Sequence, residues 1–168
     1  MRFVLAPKFE CDESYPATLP AAEVAAFLSA LKSNAYPEPL DEEDILITAD
    51  TTVVVDERVL GKPADREEAY EMLRAMSGRS HRVYTGVTLR SKSRLHTFSV
   101  ESEVTFREIS DEEILYYIEN YRPYDKAGAY GIQEWIGYVA IERIEGSFYN
   151  VMGLPIQRLY TELLAFIR

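Results

Sequence analysis

The chain has 168 residues, 47% of them hydrophobic and 27% charged, which is typical of one globular domain or of two lobes that share a core. Its net charge of −10 argues against a protein that follows the phosphates of a nucleic-acid polymer, since such proteins usually present a basic face. A small phosphorylated substrate is still compatible with this charge, because a few lysines and a divalent cation can create a local positive site.

Cysteine and histidine are scarce, and this excludes several kinds of site. Cys11 is the only cysteine, so no disulfide can form within the chain. With only His81 and His96 in addition, a zinc site of the Cys/His type is not expected. No apolar run has the length of a membrane span, and the first residues do not resemble a signal peptide. We therefore expect a protein of the reducing cytoplasm that does not associate with membranes.

The first half of the chain alternates between helical and strand patterns. Residues 20–34 predict an amphipathic helix, and a loop rich in proline and acidic residues follows it. The continuous apolar run at 45–55 is typical of a strand that is covered on both faces. A second helix is predicted over 65–76, with Asp65 as its N-cap.

The second half contains strand patterns that follow one another directly. β-rich runs occupy 81–89 and 95–108, and Ser110 opens a capping box that predicts the start of a third helix. A strand is predicted over 138–144 and a closing helix over 154–167. Together the pattern predicts an α/β fold with a mixed central sheet flanked by helices.

The apolar run at 45–55 carries a single acid, Asp50, which we expect at the end of the strand. Further on, Lys62 lies in the tight turn Gly-Lys-Pro. An acid on rigid backbone can hold a metal or activate water, and a lysine can neutralise phosphate charge. These residues fit a plain strand end and a solvated lysine equally well. Because no phosphate loop, dinucleotide fingerprint or serine elbow is present, an enzyme of this sequence would depend on carboxylates, lysines and a metal.

Six blocks of sequence, taken together, resemble the Maf family of nucleotide pyrophosphatases. They keep the family's order and spacing from about Asp12 to the C-terminus. The resemblance implies one Maf-like domain over 1–168, with the two lobes around a cleft seen in Maf and inosine-triphosphatase folds. The blocks are ADTTVV at 49–54, GKP at 61–63, MSGRSHRVYTG at 76–86, VTFR at 104–107, DKAGAYGIQ at 125–133 and GSFYNVMGLP at 146–155.

Two of these blocks are similar to the dTTP/UTP pyrophosphatase branch of the family, whereas the 7-methyl-GTP branch differs in both. They contain Thr51 and Gln133, which the resemblance therefore implies as contacts to a pyrimidine substrate. The implication is physically reasonable, because a hydroxyl and an amide can pair with the carbonyl and N–H edge of thymine or uracil.

The resemblance also implies roles for four charged residues. Asp50 would be the catalytic proton acceptor that activates water, with a bound Mg²⁺ or Mn²⁺ that Asp50 and Glu13 share. Glu13, Lys32 and Lys62 would contact the substrate, the lysines through its phosphates. The implied reaction is hydrolysis of a nucleoside triphosphate between its α and β phosphates, giving the monophosphate and pyrophosphate. Lys126 and Asn150 also lie in these blocks, and for them a role in a turn or in supporting the site fits as well as a direct contact to the substrate.

The sequence departs from the family pattern at its start. Family members open with a strand and a Ser-x-Ser-Pro-Arg-Arg loop that contributes arginines to the triphosphate site, and this loop is absent here. Two alignments are possible: residues 2–13 correspond to the family's second strand, or residues 3–6 correspond to its first strand and the loop and helix after it are deleted. A misassigned start, a trimmed chain and a true paralogue all stay open.

This departure keeps two alternative functions open: a catalytically impaired nucleotide-binding protein, and an interaction module that keeps only the fold. A missing first strand would also leave a sheet edge unpaired. It therefore predicts either lower stability than that of a full-length homologue or a homodimer that buries the edge.

Overall fold

The structure is a computed structural model that describes residues 3–168. In that part of the chain, no helix combines the length and the apolar character that a bilayer crossing requires. Five strands are present: β1 (Leu46–Val55), β2 (Arg58–Leu60), β3 (Ser80–Arg90), β4 (Leu95–Phe106) and β5 (Ile141–Glu145). The helices are α1 (Ala21–Ala35), α2 (Arg66–Met76), α3 (Asp111–Tyr121), α4 (Trp135–Val139), α5 (Phe148–Val151) and α6 (Ile156–Phe166), with a short 3₁₀ turn at Ala127–Ala129.

The strands form one sheet in the order β2-β1-β3-β4-β5. The predicted α/β class with helices flanking a sheet is confirmed, but the sheet is not mixed: each neighbouring pair of the described strands is antiparallel. Tight turns explain the difference. β1 and β2 are joined by Asp56 and Glu57, both with positive φ, and such a two-residue turn only allows antiparallel pairing.

The two faces of the sheet are covered by different parts of the chain. On one face, Val54 of β1 packs with Ala21 and Ala25 of α1. The other face carries two clusters that divide it into lobes. One cluster contains Val53 together with buried residues of α2, α3 and α4, and the other contains Val87 and buried residues of α6. The cleft between these clusters is where the candidate site lies.

The capping predictions are confirmed. Asp65 accepts a hydrogen bond from the Glu68 N–H at 2.9 Å, as expected for the N-cap of α2. Ser110 and Glu113 form the reciprocal capping box of α3. Both caps depend on residues only three positions apart, so the local sequence is sufficient to specify them.

Two strand predictions are wrong. The predicted strand at 138–144 is divided, because Tyr138 belongs to α4 and β5 begins only at Ile141. Gly137 makes this possible: it sits against the Ile132 carbonyl, where a Cβ would lie at 1.8 Å, so the chain can coil there. No helix or strand forms over residues 3–20, although both alignments of the N-terminus predict a strand. Nothing in the sheet pairs with this segment, so no ladder of hydrogen bonds offsets the entropy of ordering it.

His81 gives the folded state a pH-dependent stability. It is buried against Phe106 and Tyr130, with its Nε2 2.7 Å from the Tyr130 hydroxyl. Burial lowers the pKa of His81 from 6.5 to about 4. The unfolded chain therefore takes up a proton near its ordinary pKa while the folded chain does not, and stability is lost as the pH falls between these two values.

From this shift we expect the free energy of unfolding to fall by about 2 kcal/mol through His81 between about pH 7.5 and about pH 5. The check is a pair of denaturant titrations on the unmodified chain and on His81→Gln, which stays neutral at both pH values. The stability difference between the two proteins should change by this amount. A difference that does not depend on pH would contradict the account.

Candidate active site

A cavity of about 270 Å³ opens on the face of the sheet between the two core clusters. Its floor is formed by Ala49, Thr51 and Val53 of β1 and by Val83 of β3. The polar part of its wall comes from loops outside the sheet. These wall residues are Lys62, Asp125, Lys126, Gly131, Gln133, Met152 and Gly153.

Asp50 also borders the cavity. The sequence predicted Asp50 at the end of its strand, and this prediction is wrong. Asp50 lies near the middle of β1, opposite Gly86 of β3. Asp50 nevertheless lies beside an unpaired edge of the sheet. β2 pairs with β1 only at Val53–Val55, so within residues 3–168 no strand covers the outer edge of β1 beside Asp50. The carboxylate is therefore held on rigid backbone next to an open edge.

Three of the predicted site residues, Asp50, Lys32 and Glu13, meet at the Lys32 ammonium. The Lys32 ammonium of α1 donates a hydrogen bond to Asp50 Oδ1 and lies 3.2 Å from Glu13 Oε1. The Asp50 side chain is only 11% exposed, and that of Lys32 is 22% exposed. Glu13 is more exposed and belongs to the N-terminal coil, so the half-buried Lys32 connects three separate parts of the chain.

The electrostatics of this group favour a basic carboxylate. Burial raises the pKa of Asp50, and the nearby Lys32 and Lys62 ammonium groups only partly oppose the effect. Burial by itself lowers the pKa of Lys32, but the hydrogen bonds to Asp50 and Glu13 outweigh it and raise the pKa overall. Lys32 therefore stays charged and keeps Asp50 ionised, while burial makes Asp50 a better proton acceptor than a solvated aspartate.

Gly86 allows α1 to come close enough for Lys32 to reach Asp50. A Cβ on Gly86 would lie 2.3 Å from the backbone of Ala25, so the helix rests directly on β3. Thr48 then fixes the helix by donating a hydrogen bond to the Ser29 carbonyl at 2.7 Å. No role was expected for Gly86 from the sequence, although a glycine inside a strand pattern is a recognised signal of close backbone approach.

We expect Gly86→Ala to displace α1 and to lower the free energy of unfolding by about 1–3 kcal/mol, as overpacking usually does. Activity should fall more than the stability loss explains, because Lys32 moves away from Asp50. Circular dichroism and turnover measurements at a temperature where the variant is folded separate the two effects. Gly61→Ala is the control, since no atom lies within 4 Å of a Cβ built there. Full activity in folded Gly86→Ala would contradict this role.

Thr51 and Asp50 do not share one face of the sheet. Consecutive residues of a strand point to opposite faces, and the β1–β3 pairing is regular through both positions. Thr51 therefore points into the cavity from its floor, while the side chain of Asp50 points toward α1. Gln133 is exposed in the cavity wall, and its side-chain amide makes no hydrogen bond within the described part of the chain. Lys62 connects the two regions, since it lines the cavity and acts on the pKa of Asp50.

A partly buried network that was not expected from the sequence supports the Gln133 loop. The Tyr117 hydroxyl donates to the Glu134 carboxylate and accepts from the Gly131 N–H at 3.1 Å. Glu134 also lies 3.2 Å from the Lys126 ammonium. In the sequence, Tyr117 is simply one of the apolar residues of a helix, so nothing local marks its hydroxyl as part of this support.

Comparisons with known proteins agree with the resemblance. A dTTP/UTP pyrophosphatase of Porphyromonas gingivalis is 57% identical over 156 residues, which cover 92% of this chain and 78% of that protein. Proteins with the same name from Bacteroides thetaiotaomicron and Parabacteroides distasonis are 54% and 53% identical, over 92% and 94% of this chain and 80% and 81% of theirs. A family model described as Maf-like protein matches residues 2–166, and the chain therefore belongs to the Maf family.

Proposed function

We propose that this protein hydrolyses dTTP and UTP between the α and β phosphates, producing the nucleoside monophosphate and pyrophosphate. The observation that carries the proposal is the largely buried Asp50 carboxylate, held by Lys32 at an open strand edge beside a cavity that contains Thr51 and Gln133. The relatives named dTTP/UTP pyrophosphatase, at 53–57% identity, support the same activity and the same substrates.

The position of these residues supports a bound nucleotide that crosses the open edge of β1. The triphosphate would lie on the side of Asp50 and Lys32, with Lys62 reaching it from the cavity. The base would lie on the opposite face, between Thr51 on the floor and Gln133 in the wall. This arrangement uses both faces of one strand, so two adjacent residues serve two parts of the substrate.

In this arrangement Asp50 accepts a proton from the attacking water, and Lys32 and Lys62 neutralise charge that develops on the phosphate oxygens. The raised pKa of Asp50 suits the task, because a stronger base takes the proton more readily as long as it stays ionised. Lys32 keeps it ionised. Since Lys32 contacts Asp50 directly, it orients the base as well as balancing its charge.

The donor set fits a hard divalent cation only in combination with the substrate. Across residues 3–168, no three or more His, Cys, Asp or Glu side chains are grouped so that they could hold a metal by themselves. Asp50 and Glu13 nevertheless converge on one ammonium, and Mg²⁺ commonly uses one or two carboxylates plus substrate phosphates. Asp50 and Glu13 would hold Mg²⁺ or Mn²⁺, which when bound neutralises phosphate charge.

The test is pyrophosphate release from dTTP, UTP, dATP and dGTP in the presence of Mg²⁺. The proposal expects release from the pyrimidine nucleotides and much slower release from the purine nucleotides. Equal rates for all four would contradict the pyrimidine assignment. Thermal stabilisation by dTTP without turnover would instead favour a catalytically impaired nucleotide-binding protein, and no stabilisation by any nucleotide would favour a module that keeps only the fold.

A further inference from the structure

One hydroxyl group holds both ends of the turn that carries Gln133. Residues 131–134 form this turn, in which the Glu134 N–H donates to the Gly131 carbonyl at 3.0 Å. Tyr117 of α3 lies behind the turn and is fully buried. Its Oη accepts the Gly131 N–H at 3.1 Å and donates to the Glu134 carboxylate. The first and the last residue of the turn are therefore held by the same atom.

The direction of both hydrogen bonds is fixed by the chemistry of the partners. The Gly131 N–H can only donate, so it takes a lone pair of Tyr117 Oη, and the single hydroxyl proton goes to Glu134. Burial raises the pKa of Tyr117, and the hydrogen bond to Glu134 raises it further, so the hydroxyl keeps this proton at neutral pH. A phenylalanine at this position would leave the buried Gly131 N–H without an acceptor.

Lys126 holds the other oxygen of the Glu134 carboxylate. Its ammonium lies 3.2 Å from Glu134 Oε1, while Tyr117 donates to Oε2. Gly131 leaves space for this ion pair, since a Cβ there would lie 2.8 Å from Lys126 Cε. The two charged side chains are only 22% and 21% exposed, so salt screens this ion pair less than a surface ion pair. Glu134 is therefore restrained on both of its oxygens.

Gln133 lies between the two anchored residues of the turn. It lines the cavity, and its backbone carbonyl accepts a hydrogen bond from the Tyr138 hydroxyl at 2.9 Å. Tyr138 is 77% exposed, so water competes for this bond. The buried Tyr117 hydroxyl is therefore the stronger restraint on the position of the Gln133 amide.

We propose that Tyr117 is a positioning residue for nucleotide binding, because it holds the 131–134 turn so that the Gln133 amide meets the base opposite Thr51. This inference rests on the proposed function, in which the base lies between Thr51 and Gln133. Tyr117 lies behind the cavity wall, so it acts on the nucleotide only through the turn. Loss of its hydroxyl should weaken binding of the base and leave the chemical step nearly unchanged.

The first test is the steady-state kinetics of UTP hydrolysis by Tyr117→Phe, which removes one oxygen atom. We expect KM to rise about tenfold, as loss of one hydrogen bond to the base would do, and kcat to stay within about twofold. Tyr121→Phe is the matched control. Tyr121 follows one turn later on α3 and stacks on Tyr117, and within residues 3–168 its hydroxyl makes no hydrogen bond, so both constants should stay unchanged. An unchanged KM in Tyr117→Phe overturns the inference.

The second test is a double-mutant cycle, which separates positioning from a general structural defect. Calorimetry gives the dissociation constant of a UTP analogue whose α–β bridge cannot be hydrolysed, for Tyr117→Phe, Gln133→Ala and the double variant. If Tyr117 acts through Gln133, Tyr117→Phe weakens binding about tenfold in the unmodified chain and less than about twofold in Gln133→Ala. Equal weakening in both backgrounds would show a merely structural effect and overturn the inference.

The two proposals fail in different ways. Calorimetry needs no turnover, so a protein that binds the analogue and hydrolyses no nucleotide contradicts the proposed function, and the double-mutant cycle still decides the role of Tyr117. If the unmodified protein does not bind the analogue, both proposals fail. If it hydrolyses UTP and Tyr117→Phe has the same KM, only the inference about Tyr117 fails. If Tyr117→Phe does not fold, Glu134→Ala replaces it with the same expected changes, since it removes the other end of the restraint at a half-buried loop position.

Discussion

Asp50→Asn is expected to lower kcat for UTP by about a thousandfold, in the middle of the range that a positioned general base contributes. The amide keeps the size of the side chain but cannot accept the proton of the attacking water. Because the carboxylate is only 11% exposed, bulk solvent cannot easily replace it. Pyrophosphate release under saturating UTP measures the change, and calorimetric titration of UTP shows whether binding survives.

The control for this experiment is Asp56→Asn, at the turn that follows the same strand. Asp56 is exposed and pairs with Arg79 on the surface, so its charge contributes nothing to the cavity. Its backbone has a φ of +49°, a conformation that asparagine adopts readily, so the variant should fold normally. Activity in Asp50→Asn above about a tenth of the unmodified value would contradict a general-base role.

Lys32→Met is expected to lower kcat/KM at neutral pH by about a hundredfold, since hydrogen bonds between charged groups contribute about 1.5–3 kcal/mol each. It should also change the pH dependence of the reaction. Lys32 lowers the pKa of Asp50, so its removal leaves burial unopposed on that side and raises the Asp50 pKa further. Asp50 must be ionised to act as a base, and the acidic limb of the pH–rate profile therefore moves to higher pH.

Lys32→Arg preserves the positive charge and should keep the acidic limb near its original position, even if the altered geometry slows turnover. Comparing Lys32→Arg with Lys32→Met separates the effect of the positive charge at position 32 from the effect of the shape of the side chain. A profile of kcat/KM against pH for the three proteins is the measurement. An acidic limb that stays in place in Lys32→Met would show that Lys32 does not control the ionisation of Asp50.

The elements that could be predicted from sequence are those that depend on local residues. The caps of α2 and α3 at Asp65 and Ser110 involve partners three residues away, and both are correctly predicted. The antiparallel sheet was not predicted, because the direction of a strand depends on its connections. A strand at the N-terminus was expected from the alignment of residues 2–13, or of 3–6, with strands of the family, but a strand also needs a neighbour, and the alignment does not supply one.

The candidate site shows the same division. Asp50, Lys62 and Thr51 could be singled out because they stand in short motifs that resemble the family. The strand-end position expected for Asp50 was wrong, since strand length depends on pairing with β3. That Thr51 faces away from Asp50 was already implied by strand alternation once the strand was extended through both.

The contacts that support the site could not be predicted from the local sequence. The approach of α1 at Gly86, and the hydroxyl of Tyr117 beneath the Gln133 loop, join residues that are far apart along the chain. The same is true of Thr85, whose hydrogen bonds reach Thr51 and Asn150. Such contacts exist only in the folded molecule, so a single sequence could indicate the chemistry of the site but not what orients it.

The most direct test of this account is a crystal structure of the protein with Mg²⁺ and a UTP analogue whose α–β bridge cannot be hydrolysed. We predict that the nucleotide crosses the open edge of β1, with its α phosphate beside Asp50 and Lys32 and with its uracil base between Thr51 and Gln133. A nucleotide that lies wholly on one face of the sheet, or whose phosphates lie away from Asp50, would contradict it.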